Sequence, residues 1–289
     1  GSEMCIRDSD NFAENGGEMV VFPVAKINIG LWVTSKRDDG FHNIETIFYP
    51  VGLCDALESV SAGERSADDM ITVTGYDPEV PSEENLVIKA IKKLRQSQAF
   101  PHLIIHLHKA IPSGAGLGGG SSDAAFVLKL INRAYSLRMS RDDLKKLAFS
   151  IGSDCPFFID SVPALGKGRG EILIPLDNNI LEGYIVILAN PGIRISTREV
   201  YGNCRPVVRR DDLSELVRSP LNEWRELIAN DFESYVFSRY PVIAHLKDLF
   251  YETGAIYSSM SGSGSTVFGI YRKKPDLPEE ILKYVIYSG

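Results

Sequence analysis

Between residues 111 and 123 the chain reads Ile-Pro-Ser-Gly-Ala-Gly-Leu-Gly-Gly-Gly-Ser-Ser-Asp, a glycine-serine run set between two segments of opposite periodicity. Before it, Leu103 to His108 alternates apolar and polar residues, which predicts a strand; after it, Ala124, Val127, Leu128, Leu130 and Ile131 follow a helical spacing. A loop of this composition opening a helix exposes backbone N–H groups at the positive end of the helix dipole, and so forms a cradle for an anion such as phosphate. Without side chains the backbone can approach phosphate oxygens closely, and Ser121 and Ser122 add hydroxyls. Taken alone, the run also suits a flexible loop or a glycine turn that permits close packing. Gly114, Gly116 and Gly119 satisfy the GxGxxG spacing, but a dinucleotide fold needs a second strand after the helix, ending in an acidic residue. The chain offers another helix there instead, opened by Ser140 with Asp143 three residues on. A Walker loop fails as well, because Ser121 and not Lys follows the last glycine.

At 289 residues and 31.9 kDa the chain is long enough for two domains, by the usual about 100 to 200 residues each. Hydrophobic residues at 44% and charged residues at 24% place it among globular proteins, with no apolar run near the about 20 residues of a membrane-spanning helix. Lys and Arg number 31 against 38 Asp and Glu, a net charge of -7, which provides no basic field for a long nucleic acid. The cysteines Cys5, Cys54, Cys155 and Cys204 stand singly, without metal or redox spacing, as expected of reduced thiols in a cytoplasmic protein.

The segment Gly1 to Glu18 is polar and glycine-rich and is expected to lie outside the fold as a tag or leader, with regular patterning from Met19. Strands are predicted over Val20 to Thr34, where Lys26 and Asn28 share a face, and over Ile44 to Val51, Leu57 to Val60 and Ile71 to Thr74. A helix capped by Ser82 is predicted from Glu83 to about Gln98, and a strand from Phe157 to Ile159. The polar stretch Asp177 to Glu182 reads as a linker, giving domains over 19–178 and 179–289. The second would start with a strand at Tyr184 to Leu188, continue through helices between Thr197 and Tyr251, and end with strands at Ala255 to Ser258 and Val267 to Tyr271.

Pro23-Val-Ala-Lys-Ile-Asn28, Asp39-Gly-Phe-His-Asn43, the glycine run, Ile151-Gly-Ser-Asp-Cys-Pro156 and Ser259-Met-Ser-Gly-Ser-Gly264 together resemble the motifs of the GHMP kinases, and cover nearly all of the chain from Met19. Within that family the resemblance is nearest to the branch that phosphorylates the 2-hydroxyl of a cytidine-diphosphate-linked polyol in the non-mevalonate route to isoprenoid precursors. It implies an α/β (α+β) two-domain architecture, with an N-terminal ATP-binding domain, a C-terminal ferredoxin-like domain and the acceptor in the cleft between. ATP would be held by Pro112, Ser113, Gly114, Ala115, Gly116, Leu117, Gly118, Gly119, Gly120, Ser121 and Ser122.

By the same resemblance, Asp154 would accept the proton of the acceptor hydroxyl, and the Lys26 ammonium would favour the developing alkoxide and draw in the γ-phosphate. Asn28 would hydrogen-bond the acceptor. Phe41 and Tyr201 would stack on cytosine while His42 reads its polar edge, and Gly262, Ser263 and Gly264 would lie by the substrate diphosphate. The residues by themselves leave other roles open: Asp154 suits a turn before Cys155-Pro156, Phe41 and Tyr201 suit a core, and the Gly262 segment suits a tight turn. Two departures from the family pattern stand out. Phe41 replaces the more common Tyr, which keeps the stacking face, and Asp123 stands where a small or amide residue is usual. Mg²⁺ is expected to arrive with ATP, and no protein ligand is assigned to it.

Overall fold

The computed structural model describes residues 13–15, 18–63, 67–76, 81, 83–177 and 179–289. Most of the 1–18 segment and the expected cap Ser82 lie outside the described residues. By compactness the chain divides into two units interleaved in sequence, the first comprising 1–25, 52–113 and 118–161 and the second 26–51, 114–117 and 162–289.

The first unit is built on a five-stranded sheet in the order β1-β2-β5-β7-β6, with β1 at Ala13–Asn15, β2 at Glu18–Val21, β5 at Ala56–Ser61, β6 at Met70–Gly75 and β7 at Leu103–Lys109. Ala13–Asn15 falls in the segment expected to lie outside the fold, yet it pairs antiparallel with β2. Ladder pairing uses backbone groups alone, so an edge strand needs no apolar signature. In β7 the predicted alternation is kept along the strand, with Leu103, Ile105 and Leu107 buried between more exposed neighbours.

Helix α1, Leu86–Arg95, starts later than its predicted Glu83 because Asn85 is the cap, its side chain accepting from the Val87 amide at 2.9 Å. Helix α2, Gly119–Ala134, follows the glycine run, and its apolar residues are buried on almost every side, as befits a helix inside a layer. Helix α3, Arg141–Phe149, has the predicted Ser140 cap accepting from the Asp143 amide. The expected strand at Phe157 to Ile159 is instead the short helix α4, Phe157–Asp160. A three-residue apolar run carries no period, so strand and helix cannot be told apart there.

In the second unit, β3 (Val24–Lys36), β4 (His42–Cys54), β8 (Ala164–Lys167) and β9 (Ile172–Pro175) make one sheet in that order; the ends of β3 and β4 run on into the first unit. The other sheet has the order β11-β12-β10-β13, from β10 (Ile185–Ala189), β11 (Tyr257–Met260), β12 (Val267–Tyr271) and β13 (Val285–Ser288). This is the 2-3-1-4 order of a βαββαβ unit, with helices between β10 and β11 and a short helix before β13, so the ferredoxin-like layout holds. One buried cluster takes Leu31 and Val33 of β3, Ile44 of β4, Ile187 of β10, Phe232, Phe250 and Val267. Because β3 and β4 pack into this core, the two compact units are interleaved in sequence. The polar residues near 177 mark a turn, and which core a strand joins is decided by partners far away in sequence.

Candidate active site

The glycine run positions two things in its own backbone. Gly114, Gly116 and Gly118 have φ of +66°, +78° and +73°, the left-handed region that favours glycine. Gly118 is the N-cap of α2 and no side chain caps that helix, so its first amides are not consumed by a capping oxygen. A Cβ at Gly116 would stand 2.0 Å from the Ser261 carbonyl oxygen, so only glycine allows the loop to lie against the 261 turn. Ser121 is half-buried, whereas Ser122 is fully buried, so its hydroxyl is not offered to solvent as the sequence suggested.

Residues from three distant motifs meet within the second unit. Lys26 and Asn28 alternate onto one face of β3 and are 3% and 2% exposed. The Lys26 ammonium donates to Asn28 Oδ1 at 2.5 Å and to the Gly116 carbonyl at 2.9 Å, and lies 5.5 Å from the centre of the Phe48 ring. Asn28 Nδ2 donates to Thr46 Oγ1 at 3.0 Å, which fixes the amide so that its oxygen faces Lys26. Thr46 in turn donates to the Gly30 carbonyl at 2.6 Å. Ser261 Oγ accepts from the Asn28 amide at 3.2 Å and donates to the Gly116 carbonyl at 2.8 Å. Backbone bonds from Lys26 to Leu117 and from Thr266 to Ala115 close the arrangement. Thr46 was not singled out by sequence, and Ser261 stood in the Ser259–Gly264 motif without a role.

Asp154 belongs to the first unit, in the turn between α3 and α4, where its carbonyl accepts from the Phe157 amide at 3.2 Å. Its neighbour Cys155 is buried, and burial pushes the thiol up to about 12, so it stays protonated and unreactive. Gly262 and Gly264 have φ of +57° and +86°, and Ser263 Oγ lies 3.2 Å from Thr197 Oγ1.

The aromatic candidates contact one another and neighbouring side chains. Tyr201 stacks on His42, with ring centres 5.0 Å apart and planes 22° apart, and meets Phe232 edge-on at 4.8 Å. Phe41 is 49% exposed, and the Arg169 guanidinium covers one of its faces at 3.8 Å. Burial, with Lys36 as a smaller cause, holds the His42 imidazole below its ordinary value, so it is neutral at pH 7 and has one donor and one acceptor nitrogen. Among the described residues no three His, Cys, Asp or Glu side chains are grouped to hold a metal ion, and no helix is long and apolar enough to cross a membrane.

Comparison with known proteins adds the following. Residues 85–161 match the GHMP kinases N terminal domain and residues 212–287 match the GHMP kinases C terminal domain. A 4-diphosphocytidyl-2-C-methyl-D-erythritol kinase of Parabacteroides distasonis is 49% identical over 264 residues, covering 91% of this chain and 96% of that protein. One of Bacteroides thetaiotaomicron is 46% identical over 263 residues, covering 90% and 95%. A crystal structure of 4-(cytidine 5'-diphospho)-2C-methyl-D-erythritol kinase superposes with a TM-score of 0.73 at 31% identity, over 92% of this chain and 93% of that one. Homoserine kinase from Cytophaga hutchinsonii, at 18% identity and a TM-score of 0.62 over 94% and 89% of the two chains, shares the fold.

Proposed function

This chain belongs to the GHMP kinases, and from that premise we propose that it transfers the γ-phosphoryl group of ATP to the 2-hydroxyl of 4-diphosphocytidyl-2-C-methyl-D-erythritol, in the non-mevalonate route to isoprenoid precursors. The observation that carries this reading is the junction of Lys26, Asn28, Gly116 and Ser261, which ties three family motifs into one hydrogen-bonded group in a chain 49% identical to such a kinase.

Phosphoryl transfer asks the protein chiefly to position two substrates and to stabilise charge. In our reading Pro112 to Ser122 hold the triphosphate through backbone amides, for which the uncapped start of α2 and the left-handed glycines are suited. Buried Ser122 would act there through its amide and not its hydroxyl. Asp154 takes the proton of the acceptor hydroxyl. Lys26, aimed by the Asn28 and Gly116 oxygens, places a positive charge where the alkoxide and the transferred group develop negative charge. Asn28 and the Gly262-Ser263-Gly264 turn bind the acceptor.

Cytosine is taken up by Phe41, His42 and Tyr201. Since Arg169 covers one face of Phe41, the base meets the other face, and neutral His42 supplies a donor and an acceptor to its edge. Mg²⁺ enters on the triphosphate, and we assign it no protein ligand. The segments 19–178 and 179–289 remain our division between ATP-carrying and C-terminal domains, and the thiols Cys155 and Cys204 suit the cytoplasm.

The test is ADP release that depends on the cytidyl polyol. Asp154→Asn is expected to lower kcat by about 10²- to 10⁴-fold. Equal turnover of homoserine or mevalonate would overturn the substrate assignment, and undiminished turnover by Asp154→Asn would remove Asp154 as the base.

A further inference from the structure

The turn that follows β11 is held from outside the three motifs, by four consecutive residues, Asn230 to Glu233, that no motif contains. Asn230 is 3% exposed and uses its whole amide. Nδ2 donates to the carbonyls of Met260 and Gly262, at 2.8 Å each, and Oδ1 accepts from the Phe232 amide at 3.0 Å. Those two carbonyls flank Ser261, the residue whose hydroxyl bridges the Asn28 amide and the Gly116 carbonyl. Asn230 therefore sets the backbone on both sides of that hydroxyl.

The segment that carries Asn230 is itself tied to the strand bearing Lys26 and Asn28. Leu31 of β3 donates to Ala229 at 3.1 Å and accepts from Asp231 at 2.8 Å, pairing with Asn230 as a parallel bridge. Asp231 accepts from the Val33 amide at 2.8 Å and from Arg209. On the far side Glu233 accepts from the Met260 amide at 2.9 Å and the Ser259 hydroxyl at 3.0 Å, and Lys247 sits on its other oxygen at 2.7 Å. Met260 is thus gripped at its N–H by Glu233 and at its carbonyl by Asn230. The chain has in effect a ruler between β3 and the Ser261 turn, and Asn230 is the member that reaches the turn.

We propose that Asn230 is a positioning residue for phosphoryl transfer, holding the Ser261–Gly264 turn at a set distance from Lys26 and Asn28. The proposal rests on the kinase reading given above. It requires an amide in particular: two donors on one nitrogen match two carbonyls, whereas a carboxylate would face both with like partial charge in a buried place. Reacting groups misplaced by about 1 Å can cost on the order of 10²-fold in rate. Loss of Asn230 should therefore appear in kcat, with the KM for ATP almost untouched.

The experiment compares Asn230→Ser, Asn230→Asp, Ser261→Ala and the double variant Asn230→Ser/Ser261→Ala in full-length protein, by steady-state kinetics with thermal melting alongside. Tyr257→Phe is the control: it removes a hydroxyl that bonds the Ile228 carbonyl and lies by Ser259 and Gly30, and leaves the bonds of the Asn230 amide and the Ser261 hydroxyl in place. The expected result is a kcat loss of about 10- to 100-fold for Asn230→Ser, at a KM for ATP within about threefold. The double variant should be no slower than the slower single variant, since both changes undo one constraint, and Tyr257→Phe should keep kcat whatever its melting temperature. Multiplying losses in the double variant, or a kcat loss in Tyr257→Phe equal to that of Asn230→Ser, would overturn the proposal. If Asn230→Asp unfolds, Asn230→Ser and Ser261→Ala still decide the matter. Wild-type protein that turns over ATP with the cytidyl polyol while Asn230→Ser matches it defeats this proposal alone, whereas wild-type protein without that turnover defeats the kinase reading and this proposal with it.

Discussion

Among the described residues two lysines are buried, one in each unit, and their surroundings differ. Lys109, at the end of β7, sits between the carboxylates of Asp55 and Asp123, 2.5 Å from the latter. Burial works against its charge, but the two carboxylates outweigh burial and raise its pKa. Lys26, in the other unit, is aimed by an amide oxygen and a backbone carbonyl. The Asn28 and Gly116 oxygens set the direction of that ammonium on β3. A carboxylate pair absorbs the charge, which makes Lys109 a structural tie between β7 and α2, the two flanks of the glycine run. The same residue type thus does different work according to what surrounds it.

Substituting each lysine separates the two cases. Lys109→Met leaves the Asp55 and Asp123 carboxyl groups buried together without their cation and is expected to cost about 3–5 kcal/mol of stability, seen as a lowered denaturation midpoint in urea. Lys26→Met should lower kcat by about 10²- to 10³-fold, as removal of a charge-stabilising group does. A Lys26→Met protein that unfolds while keeping its specific activity would break the contrast.

The carboxylates of the Lys109 cluster are not equivalent either. Asp55 has both oxygens engaged: Oδ1 accepts from the Ala110 and Ile111 amides at 2.6 and 2.8 Å, and Oδ2 faces Lys109. Asp55→Asn must turn its NH₂ toward either the ammonium or two N–H groups, and is expected to cost about 1.5–3 kcal/mol by chemical denaturation. Asp123 meets Lys109 through Oδ2 and lies within hydrogen-bonding reach of the Asp55 side chain, while its Oδ1 is buried with no partner among the described residues. Asp123→Asn can therefore keep its carbonyl on Lys109 and turn its NH₂ toward Asp55, and is expected to cost less than about 1 kcal/mol.

That last variant should also change the response to pH. Burial, partly offset by Lys109, raises Asp123 from 3.8 to about 8, so the folded chain holds this proton more tightly than the unfolded one. Below 3.8 both states are protonated and the group makes no difference; from there stability falls as pH rises toward about 8. Asp123→Asn should remove this slope. Denaturation curves at pH 5, 6.5 and 8 would measure it, and parallel slopes in the two proteins would show that Asp123 does not carry the proton.

The difference between the lysines was only half legible in the sequence. Lys26 lies in a motif string with Asn28, so its face and its companion followed from strand alternation. Lys109 follows the predicted strand Leu103 to His108 next to the glycine run, but nothing local connects it to Asp55, 54 residues away. Asp123 was noticed as a departure and its role became readable only from its partner. The same holds for the aromatic group: Phe41, His42 and Tyr201 were all flagged, yet the stack is His42 on Tyr201, and Phe41 carries Arg169. The short strands β8, β9 and β13, of four residues each, were missed because so brief a segment shows no period.

What the amino-acid order determined by itself is whatever acts over a turn or two of chain. It set the alternation of β7, the Ser140 cap, the left-handed glycines that open α2, and the apolar spacing that makes α2 a helix. Those effects are steric and hydrogen-bonding preferences of neighbours, and they are visible without a fold. Which residues face one another was decided only in three dimensions. Asn28 meets Ser261 across 233 positions and Lys26 meets Gly116 across 90, and such pairs exist only after chain entropy has been overcome by burial of the whole core. Asn230, silent in the sequence, belongs wholly to this second class.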